Sequence, residues 1–142
     1  MKGYLVDTNI PSEFTNNQPD VRVANFIRNA DQKNLFLSVM TIGEICKGID
    51  LLPVSQKRSG LKKWLEIDVQ VWFAGRILPI TEPIAERWGH LAAATRKQGI
   101  TLAVVDGLIA ATALEYGLTV VTRNVKDFDG LGVPIINPWE AV

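Results

Sequence analysis

The chain has 142 residues, 47% hydrophobic and 21% charged, with 15 Lys plus Arg against 15 Asp plus Glu. This is the length of one ordinary domain, expected over residues 1–142, and the composition excludes disorder, collagen-like repeats and low complexity. No apolar run is long enough for a membrane span, and one cysteine with one histidine exclude an internal disulfide or a metal site of several Cys or His.

Residues 3–7 form a short apolar run ending in Asp7, the pattern of a buried strand. Residues 8–14 read as a short helix, with Pro11 tolerated in its first turn. Asp20 is placed to cap a helix over 21–30, where Val23, Phe26 and Ile27 share a stripe. A second strand is expected at 34–39, then a helix over 41–52 that stops before Pro53. Residues 55–75 form a longer helical stretch. Leu61, Trp64, Leu65, Asp68 and Trp72 share its inner face, widened by Val69 and Phe73. A third strand at 77–80 leads into a helix with Thr81 as its capping hydroxyl and Pro83 in its first turn. Ile84, Trp88, Leu91, Ala92 and Thr95 form the buried stripe of that helix, and Gly99 ends it. An Ala-rich helix over 105–116 stops at Gly117, and strands at 118–122 and 133–136 follow. Apolar strands alternating with amphipathic helices predict an α/β domain with a central, mostly parallel sheet flanked by helices.

Ligands of such sheets bind at the carboxyl ends of the strands. Acidic residues recur at those junctions here: Asp7, Glu44, Asp106 and Asp127. Hard oxygens with neither His nor Cys suit Mg²⁺ or Mn²⁺. Carboxylates sharing one pocket repel unless a divalent cation neutralises them, and such a cation can activate water against a phosphodiester. Each acid also has a plainer reading. Asp7 and Asp106 could cap helices, Thr41-Ile42-Gly43-Glu44 fits a capping box, and Asp127 could be a solvated turn carboxylate. Capping accounts for each acid singly but not for acids at successive strand exits, and spacing alone leaves both readings open.

Five blocks carry a resemblance that runs almost the whole length. They are Leu5-Val6-Asp7-Thr8-Asn9-Ile10-Pro11-Ser12-Glu13, then Leu37-Ser38-Val39-Met40-Thr41-Ile42-Gly43-Glu44-Ile45 followed by Gly48, then Asp106-Gly107-Leu108-Ile109-Ala110-Ala111-Thr112-Ala113. Val121-Thr122-Arg123-Asn124-Val125-Lys126-Asp127-Phe128 and Ile136-Asn137-Pro138-Trp139-Glu140 complete the set. The chain thereby resembles the PIN-domain ribonucleases, in particular VapC/FitB-like toxins of bacterial toxin–antitoxin pairs. The resemblance implies Mg²⁺-dependent endonucleolytic cleavage of RNA, with Mn²⁺ as a possible substitute. It implies Asp7 and Asp106 as direct metal ligands, with Glu44 and Asp127 holding metal-bound waters or acting as general base. Relatives place the fourth acid at the position of either Asn124 or Asp127. Asp127 is assigned here, with Asn124 as a neutral polar neighbour. Thr8, Asn9, Thr122 and Asn124 then orient the ligands. An antitoxin protein that covers the site and a homodimer are the implied partners.

Arg123 and Lys126 are expected to touch substrate, and Lys47 either to touch phosphate or to pair with Glu44. Lys57, Arg58, Lys62 and Lys63 read as a solvated helix face before an RNA contact. His90 is expected at the surface, Cys46 as a small buried residue, and Trp64, Trp72 and Phe73 in the core. The lone cysteine and the lack of a secretory signal at the start point to the cytoplasm. A catalytically weak PIN-like module that binds RNA or protein is the alternative. A phosphoryl-transfer domain with an Asp nucleophile fits less well, because Asn9 stands where such phosphatases need a second Asp.

Overall fold

Short apolar segments covered on both faces form the centre of the computed structural model, which describes residues 3–140. They are β1 (Tyr4–Val6), β2 (Leu35–Ser38), β3 (Ile77–Leu78), β4 (Thr119–Val121) and β5 (Ile135–Ile136). The sheet order is β3-β2-β1-β4-β5, and every pairing is parallel. In β1 the pleat sends Leu5 and Val6 to opposite faces, and each is buried in a separate apolar cluster.

The Val6 cluster is covered by α1 (Asn9–Glu13), α2 (Val21–Asn29), α3 (Val39–Asp50) and a helical run of three parts. The parts of that run are α4 (Gln56–Lys63), a π-helical turn (Trp64–Val69) and α5 (Gln70–Trp72). The Leu5 cluster packs the sheet against α7 (Val104–Tyr116), and α6 (Glu82–Lys97) lies against α7. Gly117 ends α7 with φ +64°, a left-handed conformation that glycine adopts without a Cβ penalty. Asp20 caps α2 as expected, its carboxylate accepting from Arg22 N. The α6 stripe is also as expected, with Ile84 and Thr95 buried and Trp88, Leu91 and Ala92 partly so. Among the described residues no helix is long and apolar enough to cross a membrane.

Several local expectations are corrected. The helix after β2 starts two residues early, at Val39, because Ser38 is its cap and accepts from Met40 N at 3.0 Å. Thr41 therefore lies inside α3, buried, and the Thr41–Glu44 capping box does not form. Thr81 caps α6 by position only, with no side-chain bond. The π-helical turn resets the face of the long helical run. Leu65, Val69 and Phe73 are buried, Leu61, Trp64 and Trp72 are half-buried, and Asp68 faces solvent. Cys46 is exposed, because the inner stripe of α3 is Thr41, Ile45 and Ile49. His90 is exposed, as expected.

Candidate active site

The chain leaves β1 to build β2 and β3 on one side and returns to add β4 and β5 on the other. The strand order therefore reverses between β1 and β4, and a crevice opens there at the carboxyl ends of the strands. Asp7 stands at the exit of β1 and Thr122 at the exit of β4, held together as Asp7 N donates to Val121 O at 2.9 Å. Asp7 is 5% exposed. Its Oδ1 accepts from Thr8 N and its Oδ2 from the Thr122 hydroxyl, both at 2.8 Å. Burial pushes the Asp7 carboxyl above its ordinary value. The Thr122 and Thr8 bonds oppose that shift, and the charges of Glu44 and Asp127 add to it.

Thr122 uses its whole hydroxyl. It donates to Asp7 and accepts from Asn124 N at 3.0 Å and from Asn9 Nδ2 at 3.3 Å. The Asn9 carbonyl oxygen accepts from Arg123 N at 3.2 Å, which ties the exits of β1 and β4 together a second time. Thr8 donates its hydroxyl to Glu44 Oε1 at 2.5 Å, and this bond fixes the carboxylate that α3 carries into the crevice. Neither Asp7 nor Asp106 is an N-cap. Thr8 and Ala103 occupy those positions, and Asp106 lies in the first turn of α7.

The Asp106 carboxyl is pushed up to about 6, first by burial and then by the charges of Asp127, Asp7 and Glu44. The structure thus brings the four acids within reach of one another's fields. Among the described residues no three acidic, His or Cys side chains stand close enough to enclose an ion unaided. Such a loose set of hard oxygens fits a cation that keeps much of its own water, as Mg²⁺ does when one or two carboxylates hold it.

The basic residues expected at the site divide. Lys126 and Lys47 are exposed and form no ion pair among the described residues. Arg123 is exposed at its backbone turn, but its guanidinium lies over the Trp139 ring, 5.3 Å from the centroid. Asn137 braces the same turn, with Nδ2 donating to Arg123 O at 3.4 Å and Oδ1 accepting from Trp139 N at 3.0 Å. The Asn137-Pro138-Trp139 segment, which has no task legible in the sequence, thus holds Arg123 and its turn in place. Arg58 reaches Asp50 at 3.5 Å, while Lys57, Lys62 and Lys63 are exposed.

Grooves flank the acids on both sides. Next to Glu44 is one of about 400 Å³ lined by Met40, Lys47, Leu51 and Val105, and beside it one of about 230 Å³ reaching Ile49, Leu61 and Trp64. On the side of Asp106 and Asp127 is one of about 470 Å³. An open depression of about 620 Å³ around Glu82, Arg87 and His90 shares no residue with the acids and is crossed by the Arg87–Glu115 pair at 2.7 Å.

The family model described as PIN domain matches residues 4–132. The chain is 37% identical to toxin FitB of Neisseria gonorrhoeae over 135 residues, covering 95% of this chain and 97% of the relative. It is 35% identical to VapC ribonuclease Y4jK of Sinorhizobium fredii over 136 residues, covering 96% and 97%. The crystal structure of FitAcB from Neisseria gonorrhoeae superposes with a TM-score of 0.89 at 36% identity, covering 97% of this chain and 99% of that one. A toxin–antitoxin complex from Klebsiella pneumoniae superposes with a TM-score of 0.69 at 25% identity, covering 98% and 100%.

Proposed function

Since the chain belongs to the PIN-domain family, alongside VapC- and FitB-type toxins, we propose that it is a metal-dependent endoribonuclease, the toxin of a pair in which a cognate antitoxin protein holds it in check. The observation that carries this reading is the gathering of Asp7, Glu44, Asp106 and Asp127 where the strand order reverses, with Asp106 lifted to about 6 first by burial and then by the charges of the other three. A purely structural role would not keep four carboxylates in mutual repulsion. Residues 1–142 are taken as a single PIN domain.

In this reading Asp7 and Asp106 hold a Mg²⁺ or Mn²⁺ ion, and Glu44 and Asp127 complete its surroundings. When bound, the ion supplies charge neutralisation at the phosphodiester and a more acidic water. The residues of the chain do the rest. The Thr8 and Thr122 bonds aim the Asp7 carboxylate and leave one lone pair on each oxygen for the crevice. Thr8 holds Glu44 by Oε1, so Oε2 is free to accept a proton from the attacking water. Asn9 and Asn124 keep the Thr122 hydroxyl in the orientation that donates to Asp7. Lys126, exposed next to Asp127 and without an ion pair among the described residues, is the cation offered to an RNA phosphate.

The test is RNA cleavage by antitoxin-free protein in Mg²⁺, in Mn²⁺ and in EDTA, with Asp106→Asn as the control for contaminating nuclease. Cutting that needs the cation and vanishes in the variant supports the reading. Folded wild-type protein that leaves cellular RNA intact transfers the weight to a binding module.

A further inference from the structure

The turn that follows β4 begins at Thr122, whose hydroxyl aims Asp7. Two peptide planes come next, and each is pinned from outside the turn. The first is held at Arg123 N, which donates to Asn9 Oδ1 at 3.2 Å. The second runs from Arg123 O to Asn124 N. Its N–H donates to Thr122 Oγ1 at 3.0 Å, and its carbonyl accepts from Asn137 Nδ2 at 3.4 Å. A peptide unit is planar and trans, so its N–H and C=O point in opposite directions and turn together. The bond at the carbonyl therefore sets where the Asn124 N–H points. If that plane swung, the N–H would leave Thr122 Oγ1, and the hydroxyl would be freer to rotate away from Asp7.

We propose that Asn137 is a positioning residue of the cleavage site, acting through the Arg123–Asn124 peptide to keep the Thr122 hydroxyl on Asp7. The proposal rests on the ribonuclease reading and adds a residue beyond positions 4–132, the part of the chain that the PIN-domain model matches. Thr122 N donates to the backbone of Ile136 at 3.0 Å. One residue further along both segments, the Asn137 side chain takes over from the backbone. The two ends of its amide are not interchangeable. Oδ1 accepts from Trp139 N at 3.0 Å, so Nδ2 is the end that faces Arg123. Closing the local turn onto Trp139 N needs only an acceptor, which Ser or Asp also supplies. The donor is what asparagine adds. Its base is firm, because Pro138 and Trp139 are buried and Trp139 belongs to the Val6 cluster. The Trp139 ring also lies under the Arg123 guanidinium, a second hold on the same turn.

The experiment compares wild type, Asn137→Ser and Asn137→Asp. Both variants keep an acceptor for Trp139 N and lose the donor to Arg123 O, so both are expected to fold. They differ in charge, so an effect common to both belongs to the donor. The substrate is an RNA oligonucleotide spanning a mapped cut, in saturating Mg²⁺. In each variant kcat should fall about tenfold, the low end for a group that orients a ligand, with KM within about twofold. In a Thr122→Val background the same changes should cost less than about twofold, because the hydroxyl they act through is gone. Amide hydrogen exchange by NMR gives a reading apart from activity. The Asn124 amide should exchange about fivefold faster in both variants, while the Leu37 and Val120 amides in the sheet keep their rates. A kcat within about twofold of wild type in either variant, or a loss that persists in full beside Thr122→Val, overturns the positioning role. Sheet amides that speed up together with Asn124 also overturn it, since they mark a residue that only steadies the fold. If wild type does not cut, the ribonuclease reading fails separately, and exchange alone decides whether Asn137 braces the turn. An Asn124 amide that keeps its wild-type rate in both variants then refutes the bracing.

Discussion

Asp106 carries the sharpest energetic consequence of the site. Its carboxyl ionises near pH 6 in the fold against 3.8 for an unperturbed aspartate. The folded chain thus binds the extra proton more tightly than the unfolded chain. Its contribution is fully present below about pH 4 and is lost as pH rises through about 6. At full value the shift is worth about 3 kcal/mol. The side chain is half-open to water, and screening cuts that to about 1.5 kcal/mol. The start of α7 favours a negative charge by about 0.5 kcal/mol, which Asn would forgo. Asp106→Asn should therefore stabilise the metal-free protein at pH 7.5 by about 1 kcal/mol, a Tm rise of about 3 °C for a chain of this size. The gain should shrink towards zero near pH 4. Thermal melts by circular dichroism in EDTA from pH 4 to 8 give the full curve. A variant no more stable than wild type at pH 7.5, or a gain that ignores pH, would refute the account of a carboxylate strained by burial and by its acidic neighbours. Adding Mg²⁺ should then raise the wild-type Tm more than that of Asp106→Asn, because only a ligand that prefers the folded site shifts the melt.

Thr122→Val keeps the shape but removes the hydroxyl that aims Asp7. Cleavage should drop about 10- to 100-fold at saturating Mg²⁺, with far-UV circular dichroism unchanged; activity within about twofold of wild type would contradict the positioning role. Glu44→Gln separates catalysis from capping. Because Ser38 caps α3 and Glu44 does not, urea melts should agree with wild type to within about 0.5 kcal/mol while cleavage is lost. Stability lost together with retained turnover would restore the capping reading. Gly107→Ala tests the packing behind Asp106. A Cβ there would sit 2.8 Å from Leu102 Cδ2 and 2.8 Å from Trp88 Cδ1. Denaturant titration should show a loss of about 1–3 kcal/mol, and a neutral result would mean that α6 and α7 yield easily.

The strands and most helices were legible because an apolar run closed by an acid, or a stripe at helical spacing, is local information. What went unread depended on partners distant in the chain or on small differences between neighbours. Ser38 and Thr41 are both good caps, and β-branched Val39 extends the strand pattern, so the sequence does not say that the helix begins at Val39. Cys46 is apolar enough for a core, yet Thr41, Ile45 and Ile49 already fill the inner positions of α3. The π-helical turn at Trp64–Val69 breaks the period that placed Asp68 inside. The acids could be named from their positions at strand exits, whereas the two hydroxyls that aim them were named by the resemblance alone, without the acid that each would reach. Thr8 reaches Glu44 across 36 residues and Thr122 reaches Asp7 across 115, contacts that only the sheet order creates. The Arg123 guanidinium was expected at the substrate, and its place over Trp139 followed from nothing local.

The same sheet order explains how a fold can hold four carboxylates together at all. In a parallel sheet the helix that follows a strand begins at the strand's carboxyl end, so α1 and α3 start beside the crevice, and α7 starts there before returning into β4. Each start carries a partial positive charge, strongest for the longer α3 and α7. Asp106 lies in the first turn of one and Glu44 in the second turn of another. These dipoles, with the Thr8 and Thr122 bonds, offset part of the repulsion. They do not remove it, because the charges of Asp127, Asp7 and Glu44 still add to the burial that lifts the Asp106 carboxyl. The remainder is the share that a divalent cation would neutralise, so affinity for the cation and instability without it should have one origin. Variants that lower the charge of the cluster should therefore gain stability in EDTA in step with their loss of cation binding. A variant that gained stability yet bound the cation as tightly as wild type would separate the two.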